Sequence, residues 1–365
     1  MDVYVIGVAT HPAEDAVRNM RLEDMVYKTA RAALDQAGVL RNQIDHVTLA
    51  ACDEIDARGI TSMLLAAPAG AYLKDEMRVT DSGLTGLHLG AMRAASGDLG
   101  LGLVVSWNQS SVVPLEDIAR IRAEPFFLRP IAMNFAIAEG LYANQVLNNN
   151  NWSETQVAAQ VHALMAVAQR NPRAVKRPVK SIDEISTTEM LAYPLRVGHR
   201  APITDGAVAM VLASGDWVRK HPDIKPLAKI AATAWAVNRY QLDAQRLNDI
   251  EFFTQTMQLA ITRAGLKGLD DLDFVELESQ NAWVNLMLSE VFKNASNVAL
   301  SPSGGAWAQN PYFCTGLMNA AEAVLQVSDL AGANQIVGAR YGLAHGTSGF
   351  SQQTHGFALF ERVES

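Results

Sequence analysis

The chain has 365 residues, of which 49% are hydrophobic and 19% charged, and its formal net charge is −8. That length allows two domains, or two halves of one large domain, each with a buried sheet. The acidic balance argues against a general nucleic-acid binder, and no apolar run is long enough to span a bilayer. The first twenty residues lack the basic-then-apolar layout of a signal peptide, and Arg362-Val363-Glu364-Ser365 is not a peroxisomal address. Two distant cysteines, Cys52 and Cys314, form no CxxC pair, which suggests a reducing compartment and no zinc site in this chain. The expected location is cytoplasmic.

In chain order, an apolar strand over 3–9 precedes a helical run that begins near Leu22 and is closed by Gly38. Ile44-Asp45-His46 leads into a short strand at 47–49. A Gly-rich turn, Ser82-Gly83, opens a helix to Ala95, and 102–107 reads as a buried strand. From about 110 to 200 the pattern breaks. This insert carries Pro114, Pro125 and Pro130, the polar run 148–151, a helix over about 153–169, and a basic cluster of Arg170, Arg173, Lys176, Arg177 and Lys180. An insertion of that length reads as a functional lid.

The first plan then returns. A strand over 228–234 is followed by a helix from Ile250 closed by Gly265, an acidic turn, and a strand at 275–277. Ser303-Gly304-Gly305 precedes an Ala-rich helix over 316–327, and 335–339 reads as the next strand. The same four elements in the same order indicate an internal duplication, and strands alternating with helices imply parallel sheets covered by helices. The expected division is 1–109 with 201–227 for the first half, 110–200 for the insert, and 228–365 for the second half.

The most specific stretches are Asn171-Pro172-Arg173-Ala174, Pro194-Leu195-Arg196, the run 201–212 containing Asp205-Gly206-Ala207, and Ser301-Pro302-Ser303-Gly304-Gly305. Together with the N-terminal strand and helix they resemble the sterol-carrier-protein-type branch of the thiolase superfamily, over about residues 3–362. The resemblance implies an α/β thiolase fold: duplicated βαβ halves in a five-layer α-β-α-β-α sandwich with an inserted loop domain. It implies a dimer, and an acyl-CoA thioester as substrate under the loop domain. Arg173, Lys176 and Arg177 then become candidates for the CoA phosphates; a solvated helix end is the plainer reading.

The family's catalytic positions are changed. Aligning Ser82-Gly83 with the family's CASG puts Thr80 at the place of the nucleophilic cysteine, and a shift of register offers Ser82 instead. Either hydroxyl needs a base within reach. His88 lies on another face of the helix, and a turn or capping role suits these hydroxyls better. After Val275-Glu276-Leu277, Glu278 takes one family histidine's position, and Asn310 takes that of the histidine in Gly-His-Pro. The last Gly-rich loop, 341–350, retains His345 as a proton carrier.

Two readings are compatible with a thiolase-like chain without its cysteine. The first is a carbon–carbon lyase performing a retro-aldol cleavage of a β-hydroxyacyl-CoA, with a small OB-fold partner that carries a zinc ribbon. That chemistry needs a base and hydrogen bonds to an enolate, and no nucleophile. Glu278 or His345 would be the base, with Asn310 and the amides near Gly83 or Gly349 holding the oxyanion. The second is a non-catalytic structural subunit of a multicomponent acyltransferase, beside which an atypical acyl-CoA acyltransferase stays open. A lyase requires Glu278, Asn310 and His345 to converge on one cavity. A scaffold would fill that cavity with Trp283, Trp307 or Phe313. Trp283, Trp307, Tyr312 and Phe313 read either as core packing or as a wall for a flat acyl group. Cys314 reads as a buried, inert thiol.

Overall fold

The computed structural model describes residues 2–295 and 297–364. The first half contains β1 (Val3–Thr10), α1 (Leu22–Ala37), β2 (His46–Ala50), α2 (Thr61–Leu65), β3 (Asp75–Val79), α3 (Gly83–Ala95) and β4 (Leu101–Gln109). The insert holds α4 (Leu115–Arg122), α5 (Phe135–Asn150), α6 (Glu154–Ala168), α7 (Ile182–Ser186) and a ribbon of β5 (Met190–Ala192) with β6 (Leu195–Arg196). The chain returns through β7 (Asp205–Ser214) and α8 (Gly215–Lys220). The second half contains β8 (Ala228–Val237), α9 (Ala244–Leu247), α10 (Ile250–Arg263), β9 (Phe274–Glu276), α11 (Ala282–Glu290), β10 (Ala299–Leu300), α12 (Thr315–Val327), β11 (Tyr341–Ser348) and β12 (Thr354–Arg362).

The duplication is explicit in the strand order. One half runs β3-β2-β4-β7-β1 and the other β10-β9-β11-β12-β8, so each reads third, second, fourth, fifth, first. The halves join edge to edge where β1 pairs antiparallel with β8, Val3 opposite Ile230 and Val5 opposite Ala228. Central helices α3 and α12 pack on each other and on strands of both halves, while α1 and α10 cover the outer faces. The result is the five-layer α-β-α-β-α sandwich.

Local chemistry explains these layers. Outer helix α1 buries Leu22, Met25, Val26, Ala30, Ala33 and Leu34, a single stripe at helical spacing, and stops at Gly38 with φ 67. Central helix α12 is buried over nearly its whole length. In α3, side chains at Gly86 and Gly90 would meet Ala50 Cβ and a Val104 methyl at 2.6 and 2.5 Å, so these glycines set how closely the helix lies on β2 and β4.

The sheets are mixed where the sequence suggests parallel ones. In each half the fifth strand runs antiparallel to the fourth: β7 to β4, and β12 to β11. The reason is connection length. Residues 349–353 make a short turn between β11 and β12, and only an antiparallel neighbour can be reached that way. In the first half the whole insert occupies the corresponding connection. Its helices α5 and α6 pack on α11 of the other half.

The polar run 148–151 ends α5, with Asn151 as its left-handed terminator at φ 54. A larger correction concerns the last Gly-rich segment. Residues 335–339, expected as a strand, lie in a turn, and the expected loop is β11 as far as Ser348. Its glycines provide close packing: a Cβ on Gly342 would fall 2.0 Å from the Phe274 ring, and one on Gly346 2.8 Å from Leu84.

Candidate functional site

A cavity of about 340 Å³ opens where five segments meet: the β3–α3 turn, the β9–α11 loop, the residues before α12, the β11–β12 turn, and α5 of the insert. The starts of α3 and α12 are fastened here, with the Gly83 N–H donating to the Phe313 carbonyl at 3.0 Å. Asn108 and Ser110 at the end of β4 accept the Phe313 and Tyr312 N–H groups at 3.3 and 3.2 Å.

Glu278 lies on the wall of this cavity and is 3% exposed. Its Oε2 accepts the Thr347 N–H at 3.1 Å, and its Oε1 accepts from Gln280 Nε2 at 3.4 Å. Burial pushes its carboxyl up to about 8, with those hydrogen bonds opposing and Asp81 adding to the rise. A carboxyl tuned this way can hold or take a proton near neutral pH. Its backbone is clamped from both sides: the N–H donates to His345 Nδ1 at 3.2 Å, and Gln352 Nε2 donates to the carbonyl at 3.1 Å.

Thr80 and Ser82 both line the cavity. Ser82 is the N-cap of α3, its Oγ accepting the Thr85 N–H at 3.2 Å and lying 3.0 Å from Thr85 Oγ1. The Thr85 hydroxyl donates to Asp81 at 2.7 Å, and Asp81 also accepts from the Ser348 hydroxyl at 2.5 Å. The turn therefore presents the Asp81 carboxyl between Thr80 and Ser82 at the cavity wall.

Asn310 and His345 lie outside the cavity lining. Asn310 is fully buried, its amide paired with that of Gln280 at 2.9 and 3.2 Å and its oxygen also taken by the Thr315 hydroxyl. Gln280, which lines the cavity, is the side of this pair that faces the space. His345 sits within β11, against Phe253 and Phe357, with Nε2 at 3.0 Å from His355 Nδ1. Accepting from Glu278 N–H places its proton on Nε2, and burial holds it well below the usual imidazole range. It is a neutral backbone anchor for Glu278. The Gly83 amide is likewise spent on Phe313, while Gly349 remains on the cavity wall.

The three cations expected at the CoA phosphates are used elsewhere. Arg173 donates to Glu322 at 2.8 Å and to the Ala331 carbonyl at 3.0 Å. Lys176 donates to the Gln169 and Asn171 carbonyls, and Arg177 pairs with Asp15. The cavity's cation is Arg122, on α4. Among the described residues no three His, Cys, Asp or Glu side chains cluster in a way that could hold a metal.

Trp283 and Trp307 belong to the core of the second half; Tyr312 and Phe313 do line the cavity. Tyr312 packs on Phe135 at 5.1 Å between centroids, and Phe135 on Phe350 at 5.3 Å. Burial raises the Tyr312 phenol, with Glu139 and Glu278 adding to the rise and Arg200 opposing. Cys314 is fully buried, receives the Ser106 hydroxyl at 3.2 Å, and is also pushed well up by burial. Sequence reasoning missed Asp81, Arg122, Glu139 and Gln280. Glu139 had a readable signal: Phe135, Glu139 and Tyr142 fall at i, i+4 and i+7 on one helix face, a carboxylate among aromatics.

A family model described as "Thiolase C-terminal domain-like" matches residues 219–362. The chain is 27% identical over 379 residues to an acetyl-CoA acetyltransferase of Methanothermobacter thermautotrophicus, covering 95% of this chain and 96% of that one. It is 22% identical over 385 residues to sterol carrier protein 2 of Gallus gallus, covering 94% and 69%. Among solved structures, the Ltp2-ChsH2(DUF35) aldolase superposes with a TM-score of 0.80 at 16% identity, over 100% of this chain and 98% of that one. The duplicated strand order, the paired central helices and these likenesses agree: the chain has a thiolase-like fold and is similar to thiolases and to sterol carrier protein 2.

Proposed function

We propose that the protein binds an acyl-CoA thioester in this cavity and cleaves a carbon–carbon bond of a β-hydroxyacyl-CoA by a retro-aldol reaction. Of the three residues expected to converge, only Glu278 reaches the cavity, so the reading rests on it alone for the base: a buried carboxyl with a pKa near 8 on the cavity wall, with the Tyr312 phenol standing in for Asn310. In its ionised form Glu278 takes the proton of the β-hydroxyl. The β-carbon becomes a carbonyl as the Cα–Cβ bond breaks, and the electron pair passes to Cα and the thioester oxygen as an enolate. The Tyr312 phenol hydrogen-bonds that oxygen, and Glu278 returns its proton to Cα. The products are a shorter acyl-CoA and an aldehyde or ketone, with no net proton change.

Acyl transfer through Thr80 or Ser82 has less support, because Ser82 is spent on its cap and no histidine faces either hydroxyl. A purely structural subunit would gain nothing from a cavity left open with a perturbed carboxyl on its wall. Arg122, at the end of α4, lines the cavity, although it also touches Cys52 and pairs with Glu54 at 3.5 Å; Arg173, Lys176 and Arg177 do not line it, so Arg122 is the better placed for the CoA phosphates. The name of the similar aldolase couples two components, Ltp2 and ChsH2(DUF35), which supports a second protein. A homodimer fits the free β3 edge, near which Met63, Leu64 and Leu73 are exposed. The test is incubation with β-hydroxyacyl-CoAs, with and without an OB-fold partner, followed by mass spectrometry for the shorter thioester and the carbonyl fragment.

A further inference from the structure

Two acceptor oxygens on residues of the cavity wall have no hydrogen-bond donor: Glu139 Oε2 and Gln352 Oε1. Glu139 is 6% exposed and stands in the inward stripe of α5 between Phe135 and Tyr142. Arg200 donates through Nη2 to its Oε1 at 3.4 Å. The Arg200 Nε is 3.2 Å from Oε2, an ionic contact that is out of line for a hydrogen bond. Arg200 is shared with Glu116 at 2.8 Å. Burial raises the Glu139 carboxyl, with Arg200 and the Asn281 side chain opposing and Glu116 adding to the rise, and its Oε2 has no donor in line for a hydrogen bond.

Gln352 lies in the turn after β11, at φ 55. Its Nε2 donates to the Glu278 carbonyl, which fixes the sense of the amide and leaves Oε1 as an acceptor. Buried acceptors are rarely left without a donor. Both orphan atoms are acceptors with Glu139 ionised, the form that the Arg200 guanidinium at 3.2 Å favours against burial. A neutral O–H group therefore fits them better than a cation.

Resting on the acyl-CoA reading above, we propose that Glu139 and Gln352 form a specificity subsite that accepts a hydrogen bond from a hydroxyl on the acyl part of the substrate, additional to the β-hydroxyl handled by Glu278. The substrate class is a hydroxylated acyl thioester whose apolar part packs against Phe135 and Phe350. A plain fatty acyl chain leaves both oxygens unmet.

The test is calorimetric titration of the full chain with decanoyl-CoA and with decanoyl-CoAs hydroxylated at successive positions along the chain. One or more hydroxylated thioesters should bind the wild type about tenfold more tightly than decanoyl-CoA, the range of one hydrogen bond to a charged group. That advantage should shrink to about twofold or less in Glu139→Leu and survive in part in Glu139→Gln, which keeps an acceptor. If no hydroxylated thioester gains on decanoyl-CoA, the subsite is overturned and the acyl-CoA reading stands. If Glu139→Leu weakens all the thioesters alike, the subsite is overturned, and an amide N–H of the pantetheine arm takes that place. If no thioester binds at all, the acyl-CoA reading falls and takes the subsite with it. Should Glu139→Leu fail to fold, Gln352→Leu, at a half-buried turn position, carries the same comparison.

Discussion

His345 accepts the backbone N–H of Glu278 at 3.2 Å, so the last histidine available to the family's site acts on the loop that carries the base and not on the substrate. Replacing His345 with Leu leaves that N–H and His355 Nδ1 without partners and should cost about 1–3 kcal/mol of stability. The variant should turn over more slowly yet keep a rate that rises with pH toward a midpoint near 8, because Glu278 sets it. Loss of that limb with His345, read from a pH–rate profile, would make the histidine the base.

Glu278 also leaves a mark on stability. Its folded pKa, near 8, lies above the usual carboxyl value of 4.5. Between those values the folded state holds a proton that the unfolded state has released. Stability therefore falls as pH rises through this window, by up to about 1.4 kcal/mol per pH unit for one group. Above about 6.5 the buried histidines no longer offset it, because their unfolded forms are then neutral. Glu278→Gln cannot titrate, so urea unfolding should show the variant gaining on the wild type from pH 6.5 to 8. A constant difference across that range would mean an ordinary carboxyl.

Gly316 stands behind the carboxyl. A methyl there would lie 2.9 Å from Glu278 Oε2 and 2.8 Å from the Gly346 Cα. Gly316→Ala should destabilise by about 1–3 kcal/mol through overpacking. It should also lower turnover more than it lowers CoA-thioester affinity, as read from kcat and from calorimetry. Unchanged turnover would separate this wall from the chemistry.

The thiols should be dispensable. Cys314 is buried with its pKa pushed well up, and Cys52 is buried beside Arg122 and Glu54. The double variant Cys52→Ala, Cys314→Ala should retain cleavage within about threefold, with any larger change appearing as a modest loss of stability. Loss of turnover at unchanged stability would point to thiol chemistry.

Affinity for CoA should follow the cavity's own cation. Arg122→Ala is expected to weaken acyl-CoA binding about tenfold, and Lys176→Ala and Arg177→Ala to leave it within about twofold. The reverse order, measured by calorimetry, would place the phosphates on the 173–177 segment and not at the end of α4.

Much of the fold was legible because strand and helix periods and Gly stops were written twice: α1 ending at Gly38 and α10 before Gly265 are the clearest pair. The misread region was 335–350, where glycine density suggested a loop. There Gly342 and Gly346 serve close packing against Phe274 and Leu84, a long-range requirement that local sequence does not display. The same misreading put His345 in a loop, when alternation along β11 turns it toward Phe253. Glu278 was legible by its place after Val275-Glu276-Leu277. Asn310 and the 173–177 cations were not resolvable as structural, because their partners Gln280, Glu322 and Asp15 are distant in sequence.

The most direct measurement is cleavage of a β-hydroxyacyl-CoA by the wild type and by Glu278→Gln, followed by mass spectrometry of thioesters, carbonyl product and intact protein. The wild type should release the shorter acyl-CoA with its carbonyl partner and carry no acyl adduct, and Glu278→Gln should lose about a hundredfold or more of that rate. Full turnover in Glu278→Gln, or an acyl group covalently held on Thr80 or Ser82, would contradict the account.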